Sequence, residues 1–456
     1  MAKMKLKSVD VLEGNLYRSI IRYCIPLLLM ALVQKLFNAV DVMVLNAVAD
    51  TDAVASVGAT SSTIHLLVDS FFGLSVGSRV VLARLLGAKD EDRVRKTAAT
   101  SLIFAVIMGI IVAVAGVIFA PYFLEWTKCP AECVDGALLY MRLYLGGAAA
   151  ILLYNFASAI IQVMGDANRP MIYMMISGVT NVILNFILCL ILEEKVAAVA
   201  IATVVSQALG ALLALLRLFR MSDTLGLRLK SIRWSWSSLG LILKNGLPIA
   251  LYSAMYPLAN LQIQTQVNSF GAAHMAAVTA TSNLDNILSS ISNTPMITAV
   301  ATFAGQNLGA GNRERVTKTF LFCTAVSASI GLIFGILGNV FSRPLLSLFL
   351  SGEAAIAAGR TRLLFLMLPY FITGINGCLS RAIQTFGYSA YVTVNSIVTV
   401  IGFRFFWTWV VFERYPTFEV LCLCFPVSWT LTLLVNIPFF LYLYYGKFKK
   451  GKLQKL

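Results

Sequence analysis

Charge is what this sequence has least of. Only 12% of its 456 residues are Asp, Glu, Lys or Arg, and 59% are hydrophobic, whereas a soluble domain carries about 25% charged residues. With a mean hydropathy of +0.81, an ordinary soluble fold is excluded and an all-α polytopic membrane protein is predicted. Histidine is nearly absent: His65 and His274 are the two, with no H-E-x-x-H. That removes the usual metal-hydrolase reading, and no enzyme, metal site or cofactor is expected. There is no G-x-x-x-x-G-K-[ST], so a built-in nucleotide site cannot supply energy. Four of the eight cysteines, Cys24, Cys189, Cys323 and Cys378, sit in apolar runs and read as packing residues. Cys129 and Cys133, in C-P-A-E-C, have no histidine near them and read as free thiols rather than zinc ligands. The basic N-terminus leads into an apolar run too long for a signal peptide and lacking an A-x-A site, so no cleavable leader is expected.

The charge that is present is uneven in sign and place. The formal balance is +15, but the basic residues sit in short loops between apolar segments, which orients a chain in a bilayer and does not point to nucleic acid. Twelve segments are long enough to span, at roughly 17–44, 54–82, 94–120, 136–162, 170–192, 196–220, 239–267, 275–305, 316–340, 357–382, 390–412 and 420–446. The segments after the second (Arg84 to Lys96), sixth (Arg217 to Arg233) and eighth (Arg313 to Lys318), and the C-terminal tail, are basic. The opposite loops are poor in Lys and Arg, so both termini are expected on the cytoplasmic side of the cell inner (plasma) membrane. The loop around Arg360 and Arg362 departs from this pattern.

The chain repeats itself. A shift of 222 residues without a gap carries Pro26 onto Pro248, Leu86-Gly87-Ala88 onto Leu308-Gly309-Ala310, Arg93-Val94 onto Arg315-Val316, Gln162 onto Gln384 and Gly165 onto Gly387. Six spans per repeat preserve orientation. Two six-helix lobes, 1–222 and 223–456, are therefore expected, related by a pseudo-two-fold along the membrane normal, a recurrent plan of alternating-access transporters.

Asp41 lies near the end of the first apolar run, and an ionisable group at that depth is a functional-site hypothesis by default. On a helix Gln34, Phe37, Asn38 and Asp41 share one face. The alternative is a structural hydrogen bond between helices. Elsewhere, polar side chains recur at helical spacing: Tyr252, Tyr256, Asn260, Gln264 and Asn268; Ser282, Asn286, Ser289 and Asn293; Tyr370, Thr373, Gly377, Ser380 and Gln384. Such stripes line a wet cavity or join helices. With Phe37, Phe71, Tyr154, Phe403 and Trp407 nearby in the pattern, a cavity suited to planar or cationic amphiphiles is expected. Asp285 is a candidate for substrate binding, Arg404 and Lys35 are candidate counter-charges, and Asp69 reads as a packing residue.

In order along the chain stand Ile25-Pro26 with Gln34 and Asp41, G-L-S-V-G at 73–77, L-L-G-A-K-D-E-D-R-V-R-K-T at 85–97, M-G-D-A-N-R-P at 164–170, N-V-I-L-N at 181–185, A-T-V-V-S-Q at 202–207, G-L-P at 246–248 and G-Q-N-L-G-A-G-N-R-E-R-V at 305–316. The set resembles the multidrug and toxic compound extrusion (MATE) family, bacterial type, over nearly the whole chain. The resemblance implies a cation-coupled antiporter using H⁺ or Na⁺, with Asp41 as the coupling acid. Asn181 and Asn185 of the fifth span and Thr203 of the sixth would be its partners, beside Gln34 and Asn38. Many relatives have a second acid where this chain has Asn185, which weakens Na⁺ binding. Relatives with acids in the seventh and tenth spans are matched here by Tyr256 and Ile375, and the repeat-equivalent of Asp41 is Ile263, so coupling is expected in the first lobe alone. The cavity residues would be Phe37, Tyr154, Tyr252, Tyr256, Asn260, Asp285, Asn286, Gln384 and Arg404. The expected partners are an organic, cationic or amphipathic small molecule and the bilayer, for a monomer. A flippase for a lipid-linked precursor is the nearest rival; a channel or membrane receptor is the rival of another class.

Overall fold

The computed structural model describes residues 9–48, 51–127, 129–221, 227 and 233–451; within these, the side chains of 38–42, 45–48, 51–55, 59, 61–63, 65–70 and 131 are outside the described set. The described chain is helical. Its long elements are α1 (Leu16–Val48), α2 (Thr51–Gly87), α3 (Glu91–Trp126), α4 (Val134–Gly146), α5 (Ala148–Val163), α6 (Asn168–Ile191), α7 (Lys195–Arg220) and α8 (Trp236–Asn268). They continue as α9 (Ala272–Gly309), α10 (Arg313–Val340), α11 (Glu353–Thr385), α12 (Ser389–Phe412) and α13 (Phe418–Phe448).

Eleven of the twelve expected spans are each matched by one helix and 136–162 by α4 and α5 together, because runs of about 20 apolar residues leave the backbone no partner in lipid but itself. Among the described residues nine helices are long and apolar enough to cross a bilayer, and α4 with α5 makes a tenth when the 43° bend between them is taken as one broken span. The break falls at Gly146-Gly147, in the middle of a stretch expected to be continuous. The loop expected around Arg360 and Arg362 is a correction: both residues lie within α11, and Arg362 is buried. Arg84, read as a loop residue, likewise lies inside α2 and is buried. The thiols of Cys129 and Cys133 are free.

Two compact units emerge. The first holds residues 29–250 with the N-terminal ten; the second holds 11–28 and 251–456. Both boundaries inside helices fall two residues after a proline, Pro26 in α1 and Pro248 in α8. Proline breaks one helical hydrogen bond and crowds the preceding turn, so these are the weakest links in otherwise continuous helices.

Within the first unit, helices meet through glycine. A Cβ on Gly73 would lie 2.7 Å from the Ala250 Cα, and one on Gly77 would strike the backbone of Gly246. Small residues of this kind let membrane helices approach and gain dispersion contact where no hydrophobic drive exists between them. Ser78 and Ser101 share a hydrogen bond of 2.6 Å, and Arg79 donates to Gln162 at 2.7 Å, both buried. In the second unit the start of α1 is held by Arg315, which donates to the carbonyls of Val11, Glu13 and Gly14, and by Tyr23, whose hydroxyl is 3.0 Å from that of Thr302.

The repeat is written into the backbone as well as the side chains. Lys89 and Gly311, 222 residues apart, both take a left-handed conformation, with φ of 56° and 76°. Asp90 and Asn312, next in each turn, cap the following helix by accepting from the amides of Arg93 and Arg315. Gly165 and Gly387, at φ of 82° and 98°, close the second pair of turns.

Candidate functional site

In the first unit the fifth and sixth spans, α6 and α7, carry a chain of polar side chains. Asn185, fully buried, donates through Nδ2 to the Asn181 Oδ1 at 3.3 Å. Asn181 donates in turn to the Thr203 hydroxyl at 3.3 Å, and Thr203 donates to the Val199 carbonyl at 2.9 Å. One helical turn earlier, Ser177 donates to the Ser206 carbonyl at 2.5 Å. Positions 177, 181 and 185 form one stripe of α6, so a single helix face delivers all three. The structure thus brings together three residues that the family resemblance pointed to.

Phe37 of α1 lies on α6 at Gly178: a Cβ there would overlap the aromatic ring at its Cε2. Glycine is what lets the ring come this close to the helix. Gln34 and Lys35 are exposed. The side chains of Asn38, Asp41 and Asp69 lie outside the described residues, although the backbone of all three is helical. Tyr154 is buried and spends its hydroxyl on the Pro170 carbonyl at 2.9 Å. Below it, in the turn between α5 and α6, the buried Asp166 pairs with Arg169 at 3.0 Å and Arg217 at 3.7 Å. Burial pushes its carboxyl up from the ordinary value, and the two guanidiniums pull it partly back.

The second unit holds a separate polar cluster. Tyr252 and Tyr256 are neighbours on α8, with ring centroids 5.7 Å apart, and Asn260 accepts from the Arg404 Nη1 at 2.7 Å. The Arg404 guanidinium lies over the Phe425 ring at 4.5 Å and the Tyr256 ring at 5.4 Å. Asp285 has an oxygen, Oδ1, with no hydrogen-bond partner among the described residues, and Arg362 donates to the Thr281 hydroxyl at 2.5 Å. Asn286 is exposed, whereas Gln384 is buried at the end of α11, where its carbonyl accepts from the Gly387 amide. The α9 stripe does not stay on one surface. Asn293 is buried at a break in the helix, where it donates to Thr373 at 3.0 Å and accepts from Ser327 at 3.2 Å, joining α9 to α10 and α11. Sequence reasoning missed Arg362 as a member of this cluster. Its signal was present: apolar residues flank it on both sides at helical spacing.

A model of the MatE family matches residues 26–187 and again 248–410, two stretches that begin 222 residues apart. The chain belongs to this family. It is accordingly a multi-pass membrane transporter and not an enzyme, and the double match is the sequence repeat seen from outside. The chain is 25% identical to a protein of Bacillus subtilis named a probable multidrug resistance protein, YpnP, over 98% of this chain and 99% of the relative. A MATE crystal structure in complex with the compound MaL6 superposes with a TM-score of 0.88 at 22% identity, covering 97% of this chain and 99% of its own. A superfamily transporter from Pyrococcus furiosus, described as having a binding pocket of reversed polarity that suggests a different function, superposes with a TM-score of 0.86 at 23% identity over 99% of each chain. At these identities the structural matches establish the all-helical MATE fold.

Proposed function

We propose that the protein is a cation-coupled antiporter that exports organic, cationic or amphipathic compounds by alternating access, with its coupling site in the first unit. The observation that carries this reading is the Asn185–Asn181–Thr203 chain, set on α6 and α7 beside the face of α6 that receives Phe37. Asp41 stands one turn beyond Phe37 on α1, and Asn181 stands one turn beyond Gly178 on α6. If the basic loops are cytoplasmic, α1 and α6 cross the membrane in the same direction, and those turns share a depth. A carboxylate taken from water at that depth favours its protonated form and releases the proton when the site hydrates. Binding of substrate and of the cation then exclude one another, which couples export to cation entry. The multidrug resistance name borne by the Bacillus subtilis relative supports export of foreign compounds.

Proton is the coupling ion this arrangement supports. Sodium needs several convergent oxygens. Here the Asn181 Oδ1 already accepts from Asn185, and the Thr203 hydroxyl accepts from Asn181 while donating to the backbone. Asn185 adds no charge. The test is efflux of a cationic dye from everted vesicles holding the full-length protein, driven separately by a pH gradient and by a Na⁺ gradient. Export should follow the pH gradient and be lost in Asp41→Asn. Asn185→Asp should introduce a response to Na⁺. Full export by Asp41→Asn would sink the mechanism.

A further inference from the structure

Arg404 is fully buried, at 0% exposure, in the membrane-embedded part of the second unit. A guanidinium stays charged there and has five N–H donors to satisfy. Its Nη1 is used by Asn260. Its Nε and Nη2 have no hydrogen-bond partner among the described residues. The two aromatic neighbours, Phe425 and Tyr256, face the guanidinium as rings and supply cation–π contact, but they accept no hydrogen bond from its edge. The edge left over, Nε with Nη2, is the fork that matches the two oxygens of a carboxylate.

Charge balance points the same way. The charged groups of this cluster are the buried Arg404 and Arg362 and the half-buried Asp285, two cations against one anion. Asp285 lies near both guanidiniums, and its single charge cannot neutralise two; Arg362 donates to Thr281. A surplus cation inside a membrane protein is costly without an anion to meet it. The local backbone is also unusual. Arg404 sits on a single α-helical turn, Phe403–Phe406, between two π-helical stretches, Ile397–Gly402 and Trp407–Phe412. Such bulges re-aim side chains and recur at functional sites. Its hydrogen-bond partner Asn260 on α8 is exposed, and Tyr256, one turn earlier, is half-buried.

We propose that the second unit carries an anion subsite in which the Nε–Nη2 edge of Arg404 binds the carboxylate of an aromatic, amphipathic ligand whose ring system lies against Tyr256 and Phe425. That the ligand is exported rests on the transport reading above; that it binds does not. The ligands it favours would be zwitterions rather than simple cations.

A matched pair of dyes tests it. Tetramethylrhodamine carries a free carboxylate; its methyl ester has the same ring system and lacks the anion. Affinity of each for the full-length protein in detergent is read by fluorescence anisotropy. The wild type should bind the zwitterion about tenfold or more tighter than the ester, the weight of a charge-assisted hydrogen bond. Arg404→Gln should bring that ratio to about one, with residual ester binding reporting that the variant is folded. Asn260→Asp, at an exposed position, places a carboxylate beside Arg404 and should collapse the ratio in the same way. Equal affinities in the wild type, or a preference that survives both substitutions, overturns the proposal. Binding of the zwitterion without export of either dye from vesicles would count against the transport reading alone.

Discussion

The contact between Phe37 and Gly178 makes a prediction in which a sign reverses. Alanine is the better helix former by about 1 kcal/mol, so Gly178→Ala should stabilise α6 wherever there is room for a methyl. In the wild type there is none, because the Phe37 ring occupies that volume. Overpacking of this kind costs about 1–3 kcal/mol. The ring is only half-buried and can swing away, which keeps the cost toward the lower end. The net change in the wild type is therefore a loss of about 0–2 kcal/mol. Removing the ring first, as Phe37→Ala, should turn the same Gly178→Ala substitution into a gain of about 1 kcal/mol. The coupling between the two sites is then about 1–3 kcal/mol, well above the error of a double-mutant cycle. Unfolding of the four purified proteins by SDS titration in mixed micelles measures it. An identical effect of Gly178→Ala in both backgrounds would refute the packing of α1 on α6, and with it the shared depth of Asp41 and Asn181 on which the coupling site depends.

Other substitutions test the remaining joints. Lys89 and Gly311 hold the same left-handed turn position, but lysine pays about 1 kcal/mol for it and glycine does not. Lys89→Gly should therefore raise stability by about 0.5–1 kcal/mol in the same unfolding assay. Gly311→Ala should lower it by about 1 kcal/mol through conformation alone, since no atom lies within 4 Å of the added methyl. Asp166→Asn keeps an acceptor for the Arg169 amide but strips the counter-charge from Arg169 and Arg217. Those side chains are 33% and 22% exposed, so the loss should be about 1–2 kcal/mol, below the 3–5 kcal/mol of a fully enclosed pair. In each case an unchanged unfolding midpoint would contradict the contact named.

What could be read from the sequence divides along a physical line. The helices were legible because lipid imposes one rule on every spanning segment, and hydropathy alone expresses it. The repeat was legible because identical residues recur at one offset of 222; that the turn after each second span also needs a left-handed residue and a short cap, met by Lys89-Asp90 and Gly311-Asn312 with different residues, became visible only in the backbone. Residues 181, 185 and 203 were legible through the family resemblance, and α-helical periodicity adds that 181 and 185 share one face. What stayed hidden depends on contacts between segments far apart in the chain. The break at Gly146-Gly147 looks like any pair of small residues in an apolar run. The apolar residues around Arg362 could have placed it in a helix, but nothing local announces that Thr281, 81 residues away, will accept from it. Arg404 could be guessed as a counter-charge, but only the enclosed geometry shows that Asn260 takes one nitrogen and leaves the fork without an acceptor. The two units are thus unequal in kind. The proposed cation site lies in the first unit, where Asn185 and Asn181 are buried and Thr203 half-buried; the proposed anion subsite lies in the second, where the Arg404 guanidinium meets two aromatic rings. On these two proposals, a duplicated fold whose halves have diverged in charge supplies separate places for two ligands that are handled differently.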